Sequence, residues 1–397
     1  MNKKLMAVAV AAAMAPGLAL AQSSVTISGV FKTSLDNYRI ASPAAARAGL
    51  NTSEWRVTDN SSRIIFNVTE DLGGGMQAIA QLDVRFSTDT GTQNTAGAGA
   101  AAAAITTLNN GGNTWVGLRG KSWGTVTMGQ HDLHYGKQPD DIASKAGVLM
   151  ASSVSLMDAT SNATNGSQAI AGNTRTRNVL RYDTPQWGIF NGTVAWSANP
   201  TGVESDLVAT NTARRGNAWT LNPQLTGANW QVGYSYWRQK ADSLAGGAAA
   251  GANVGQRGDV LYGFYRWGGF KLGLAWNKSR TMSELATGTV DSSRRTAWSI
   301  PLSYTWGNHN IFGHYTKAGN DKTTAADDSA KMWAVAYVYD LSKRTSAGIT
   351  YAKITNAVGA NYNFFTNSNT GAFGSVNGAP VAGEDPRLIA FSIRHAF

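Results

Sequence analysis

The residues of this sequence best placed to do chemistry are cations. Lys32, Arg63, Arg85, Arg177, Arg181 and Lys271 each fall on the polar phase of a segment in which apolar and polar residues alternate. Side chains two apart on an extended strand share a face, so this phase turns all six toward one side of a sheet. A single arginine on a wet surface is ordinary. Several lining one enclosed space make a field that draws anions in and keeps cations out. Acids that could oppose them lie in the segment 131–174, which carries Asp132, Asp140, Asp141 and Asp158 with Lys137 and Lys145. Folded into that space, the segment sets its acids against the cations; left outside, they are solvated surface.

Covalent chemistry is the weaker reading. His131 and His134 fall at i and i+3 with only Asp132 beside them, which suits a polar loop mouth better than a metal site. His309 falls in a tight turn and His395 on the final strand. The sequence holds no Gly-x-Ser-x-Gly, His-Glu-x-x-His or phosphate-binding glycine loop. Barrel hydrolases can carry serine and histidine on their outer surface, yet no Ser/His pair stands out at matching strand depth. The expectation is no catalytic residue, no cofactor and no metal.

The elements that must position the cations are strands. Alternation places them near 25–31, 64–68, 78–86, 114–120, 123–130, 175–183, 188–197, 215–225, 230–240, 259–267, 270–277, 294–306, 310–317, 331–340, 345–355 and 387–397. The count is sixteen, an even number as single-chain bacterial barrels have. Trp298, Ile300, Leu302, Tyr304 and Trp306 alternate with Ser299, Pro301, Ser303 and Thr305. Aromatics at strand ends fit girdles at two membrane–water interfaces. Links alternate between tight turns rich in Gly, Pro, Asn and Ser and long segments near 40–60, 88–112, 131–174, 199–214, 241–257, 280–293, 318–330 and 357–385. The final strand has Ile389, Phe391, Ile393 and Phe397 on one phase and Ala390, Ser392, Arg394 and Ala396 on the other. Ending the chain on an amphipathic strand calls for a partner already formed, and the first strand supplies it.

The start of the chain reads as an export leader. Lys3 and Lys4 precede an apolar run from Leu5 to Ala15 that is too short to span a bilayer, and Ala19-Leu20-Ala21 fits a cleavage site. This divides the chain into a leader, 1–21, and a barrel domain, 22–397. The absence of cysteine excludes a disulfide framework in an exported chain. With 44 Gly, 13 Trp, 13 Tyr, 12 Phe and 15% charged residues, the composition suits a barrel with a polar lumen. The formal net charge is +10, but no basic block of five occurs, which argues against nucleic acid.

Particular stretches then resemble the general porins of the Gram-negative outer membrane, the trimeric sixteen-stranded kind. They are Ser24-Val-Thr-Ile-Ser-Gly-Val30, Ser62-Arg-Ile-Ile-Phe66 leading into Glu70-Asp-Leu-Gly-Gly-Gly75, Trp115-Val-Gly-Leu118, Gly124-Thr-Val-Thr-Met-Gly129, Asn178-Val-Leu-Arg-Tyr182 followed by Pro185, and the terminal Phe397. The resemblance implies an all-β, 16-stranded antiparallel transmembrane β-barrel with short periplasmic turns, long extracellular loops and a third loop folded into the lumen. It implies a homotrimer among outer-membrane lipid and lipopolysaccharide, passive to small anionic or neutral solutes. It sets Arg63 and Arg85 on a basic pore wall, to which phase adds Arg177, Arg181 and Lys32. It puts Asp140 and Asp141 on the constriction loop, and makes Phe397 an assembly signal read by the outer-membrane machinery. The fifth strand departs from the family, ending Gly129-Gln130-His131 where relatives commonly have Gly-Arg-Gln. The reading is an anion-preferring diffusion channel, with a substrate-specific sugar or organic-acid channel, a hydrolase and an adhesin barrel as alternatives.

Overall fold

The computed structural model describes residues 23–45, 48–49, 51–89, 112–134, 137–157, 176–200, 216–241, 252–285, 288–365 and 380–397. Asp158 of the acidic segment and the leader lie outside them. Sixteen antiparallel strands follow one another around a ring. They are β1 (Ser24–Ile40), β2 in two pieces (Ser53–Asp59 and Ser62–Gly73), β3 (Met76–Phe86), β4 (Thr114–Gly120) and β5 (Gly124–His131). Then come β6 (Thr176–Asp183), β7 (Phe190–Ser197), β8 (Gly216–Thr226), β9 (Trp230–Ala241), β10 (Ala252–Trp267) and β11 (Phe270–Leu285). The last are β12 (Gly288–Trp306), β13 (His309–Ala318), β14 (Ala330–Asp340), β15 (Thr345–Asn356) and β16 (Pro386–Ala396).

The ring closes where the sequence requires it. β16 pairs with β1 from Val30↔Ala396 to Ile40↔Pro386, and Gly29 and Phe397 exchange two backbone hydrogen bonds of 3.1 and 3.2 Å. Closure leaves the ring without a free edge, the condition for a sheet to span hydrocarbon. Gly29 must be a glycine here: a Cβ would stand 2.5 Å from the Arg63 carbonyl oxygen and 2.6 Å from the Phe397 ring.

Polarity is inverted relative to a protein in water. Along β12, Ile300 and Leu302 are 42% and 46% exposed, whereas Ser299 and Ser303 are buried. Three links are shorter than alternation suggests, among them the one between β9, which ends at Ala241, and β10, which begins at Ala252. β1 continues to Ile40 and β2 begins at Ser53, while β11 and β12 run on to Leu285 and from Gly288. Near 280–293 the strands carry Arg280, Thr281, Ser292 and Arg294, so neither face is apolar and the alternation that marks a strand disappears.

The segment 137–157 lies inside the ring. Its short helical turns bury Ile142, Ala146, Val148, Met150, Leu156 and Met157 against inward residues of β12 to β16. On β14 those inward residues are Ala330, Met332, Ala334, Ala336 and Val338, while Trp333, Val335, Tyr337 and Tyr339 face out. Both faces of this strand are therefore apolar, one toward the membrane and one toward the loop. The alanines leave the space the loop occupies. Each large apolar loop residue buried this way contributes about 1.5–3 kcal/mol.

Candidate pore constriction

Four neighbouring strands bring the cations of one wall together. Register sets Arg394 of β16 opposite Lys32 of β1, and Arg63 of β2 opposite both Val30 and Arg85 of β3. Two carboxylates stand among these four cations. Asp83 holds Arg85 in a fork of 2.8 and 2.7 Å, a geometry that fixes both groups. Asp59 accepts from the backbone of Ser61 at 2.8 Å and of Ser62 at 3.1 Å, capping the break between the two pieces of β2. Ser61 takes a left-handed φ of 74° there. The break also faces the loop, because Asn60 accepts from the Leu149 backbone at 2.9 Å and donates to Ser34 at 2.7 Å. Lys32 reaches the same loop, donating to the Ala143 carbonyl at 3.2 Å.

Asp140 and Asp141 find their partners away from this wall. Asp140 accepts from the backbones of Ile142 at 2.9 Å and Ser153 at 2.7 Å, stitching the loop to itself. Asp141 pairs with Lys271 of β11 at 2.9 Å and with Lys145 at 3.9 Å. His314 of β13 donates from Nε2 to the Ala151 carbonyl at 2.9 Å, and Ser392 of β16 donates to the Ala146 carbonyl at 2.7 Å. At the loop's beginning, His134 meets the Ser235 hydroxyl of β9 at 2.7 Å. Burial holds that imidazole down to about 3, so it stays neutral. Lys137 donates to Asn222 of β8 at 3.2 Å; burial, then Arg181, lowers its amine to about 8. Lys145 stays exposed, its side chain at 58%.

Arg181 and Arg177 part company. Arg181 is half-buried and forked onto Asp183 at 2.8 Å for both bonds. Between them Asn178 adopts φ 55°, and the register slips so that Thr176 faces His131 while Val179 faces Gly129. Two residues of β6 thus oppose Gln130 alone, a bulge that reverses the phase. Arg177 is exposed on the other face and does not join the wall. Gln130 donates to the Gly112 carbonyl at 2.7 Å. Phe397 lies at the seam, its ring 5.7 Å from Phe31.

The structure therefore gathers Lys32, Arg63 and Arg85, leaves Arg177 out, and ties Asp140 and Asp141 to the loop and the opposite wall. Sequence reasoning omitted Arg394, although it lies on the polar phase of the closing strand. It also omitted Asp83 and Asp183, each two residues from an arginine on the same face. Among the described residues no group of three or more His, Cys, Asp or Glu could hold a metal ion.

Known proteins share this architecture. An anion-selective porin from Comamonas acidovorans superposes with a TM-score of 0.70 at 22% identity, covering 95% of this chain and all of that one. An outer membrane protein of Vibrio cholerae in its trimer form superposes with a TM-score of 0.59 at 11% identity, over 94% of this chain and 99% of that one. In sequence, an outer membrane porin protein of Bordetella pertussis is 27% identical over 394 residues, spanning 89% of this chain and 94% of the relative. Outer membrane porin protein 32 of Delftia acidovorans is 26% identical over the full length of both. The family model for the Gram-negative porins matches residues 7–359, so with most of its length accounted for, the chain belongs to that family.

Proposed function

We propose that this porin passes small hydrophilic solutes by passive diffusion and prefers anions at its narrowest point. Family membership supports reading it as an outer-membrane channel over reading it as an enzyme. The observation that carries the anion preference is the imbalance of charge on the wall. Lys32, Arg63, Arg85 and Arg394 stand with two carboxylates, one of them occupied in capping a strand break. Among the described residues, the loop acids Asp140 and Asp141 have partners of their own, away from this wall. Arg181 is a weaker contributor, because Asp183 offsets it. A cation-lined, water-filled narrowing concentrates anions, and the similar Comamonas barrel is named as anion-selective.

The remaining assignments extend this reading. The leader 1–21 is removed on export through the general secretory pathway, leaving 22–397 as the barrel, with tight turns toward the periplasm and long loops outside. Three copies assemble, in keeping with the trimer form of the Vibrio relative. Phe397 serves as the address read by the assembly machinery, and lipopolysaccharide surrounds the outer rim. The test is the reversal potential of the purified channel in a planar bilayer under a potassium chloride gradient. A potential of the sign set by chloride supports the reading, and one set by potassium overturns it.

A further inference from the structure

A second link enters the ring beside the segment 137–157. It leaves the end of β15, and its residues 357–365 turn inward. Ala360, Tyr362 and Phe364 are buried there in one apolar cluster with Met150, Leu156 and Met157 of the lumenal loop. The link is fastened to the wall at both sides. Asn356, the last residue of β15, donates to the carbonyls of Tyr362 at 2.9 Å and Glu384 at 2.6 Å, and accepts from the Tyr362 backbone at 3.1 Å. Tyr38 of β1 donates to the Asn363 side chain at 3.2 Å and meets the Phe364 ring edge-on, 6.2 Å between centroids. Link and loop also bond directly. The Phe365 backbone donates to the Ser155 hydroxyl at 2.8 Å, and that hydroxyl donates to the Met150 carbonyl at 3.1 Å.

One cation joins the two segments. Arg295 of β12 shares the inward phase of Ala297 and Ser299 and is 1% exposed. Its Nη1 donates to the Tyr362 hydroxyl at 2.9 Å and its Nη2 to the Met157 carbonyl at 3.4 Å. The guanidinium lies 5.5 Å from the centroid of the Tyr362 ring. Among the described residues Arg295 has no carboxylate partner, and its Nε has no acceptor. A buried cation held by neutral oxygens alone carries a desolvation penalty that nothing fully offsets. The wall does not call for it, because the inward positions around it, Ser279, Ser293 and Ala297, are small and neutral. What a guanidinium supplies here is a planar fork that reaches two separate acceptors at once. One acceptor belongs to the lumenal loop and the other to the link. When they move apart, water reaches the cation and the penalty is relieved, so this contact can open at little cost.

We propose that the link 357–365 is a latch on the second half of the lumenal loop, with Arg295 and Tyr362 as its positioning residues. The width of the passage is then set by two links together, one that narrows it and one that holds the first in place. The proposal rests on the channel reading. Its test uses the purified full chain, with single-channel conductance in planar bilayers and the swelling of liposomes in a mono-, a di- and a trisaccharide. Arg295→Met keeps the length of the side chain and loses the charge and both donors. Its conductance is expected to rise about twofold with added flicker between levels, and trisaccharide entry to rise severalfold against monosaccharide entry. Tyr362→Phe, which loses only a hydroxyl, moves both readings the same way by less. Arg295→Lys keeps a charged donor and returns most of the wild-type behaviour. A role confined to stability would lower the melting temperature of the barrel and leave the size limit where it is, so melting is followed on the same samples. The control is Arg238→Gln/Arg257→Gln/Arg280→Gln, three exposed positions on the outward phase of β9 to β11, and it changes neither reading. Wild-type conductance and size limit in Tyr362→Phe and Arg295→Met, or a narrower passage in both, would overturn the latch; if Arg295→Met does not fold, Tyr362→Phe alone decides. A wild type that does not conduct would overturn the channel reading instead.

Discussion

Two arcs of the barrel wall point into the same interior and are built on opposite principles. From β12 to β16 the inward positions combine small apolar residues, above all the alanines of β14, with polar ones such as His314 and Ser392 that bond to the loop filling the space in front of them. From the end of β16 through β1 to β3 they are Arg394, Lys32, Arg63 and Arg85, with Asp83 among them. The first arc behaves as a protein core and the second as the wall of a wet pore. The packed arc decides where the loop sits, and the loop's position decides how narrow the passage is beside the charged arc. It also removes the loop's acids from play, since Asp141 is drawn to Lys271 and Asp140 to the loop's own backbone. On the proposed reading, selectivity comes from an excess of positive charge on this wall, with Asp83 and Asp59 offsetting part of it.

The largest break in this division comes from filling the alanine space. Ala334→Trp overpacks the fully formed loop–wall contact, a cost of about 3 kcal/mol or more. The loop then leaves the lumen, and single-channel conductance rises severalfold while the barrel stays folded. A conductance equal to wild type would mean that the loop does not depend on this arc. Lys271→Met is milder. It strands Asp141 in a half-buried site, costs about 1–3 kcal/mol, and exposes an acid that lowers the chloride preference. Reversal potential and chemical unfolding read the two effects together.

A third prediction concerns Lys137. Its amine is held down to about 8, so it is charged below that pH and neutral above it. Raising the pH from about 7 to 9 removes one positive charge from the lumen, and chloride preference falls across that interval. Lys137→Met shrinks the step across that interval; a step of unchanged size belongs to another group. The smallest effect is expected from Asp83→Asn, which frees Arg85 of its fork and raises chloride preference on the order of twofold. A fall instead would show that Arg85 needs Asp83 for its position more than the pore needs its charge.

The sequence made the barrel legible because period-two alternation between hydrocarbon and water is a strong signal. The strand count, the seam at Phe397 and the lumenal side of Lys32, Arg63 and Arg85 all follow from it. Other features depend on partners, which phase does not specify. Arg177 faces out, against the alternation, because one extra residue at Asn178 reverses every later face and nothing in the local sequence marks a bulge. Arg280, Thr281 and Ser292 look like loop residues because neither face of the strand is apolar there. One further signal lies in the sequence: Ala330, Ala334 and Ala336 alternate with Trp333, Val335 and Tyr337, so β14 is apolar on both faces. A strand apolar toward a water-filled lumen makes sense only if something packs there.

The contrast between the arcs can be tested by one reversal-potential measurement in a planar bilayer, on the wild type and two variants. Lys32→Gln/Arg63→Gln/Arg394→Gln removes charge from the open wall, and Arg238→Gln/Arg257→Gln/Arg280→Gln removes the same charge from the outer face. Chloride preference that collapses in the first variant and persists in the second is the predicted result. Chloride preference that survives loss of Lys32, Arg63 and Arg394, or a wild type that prefers potassium, would contradict it.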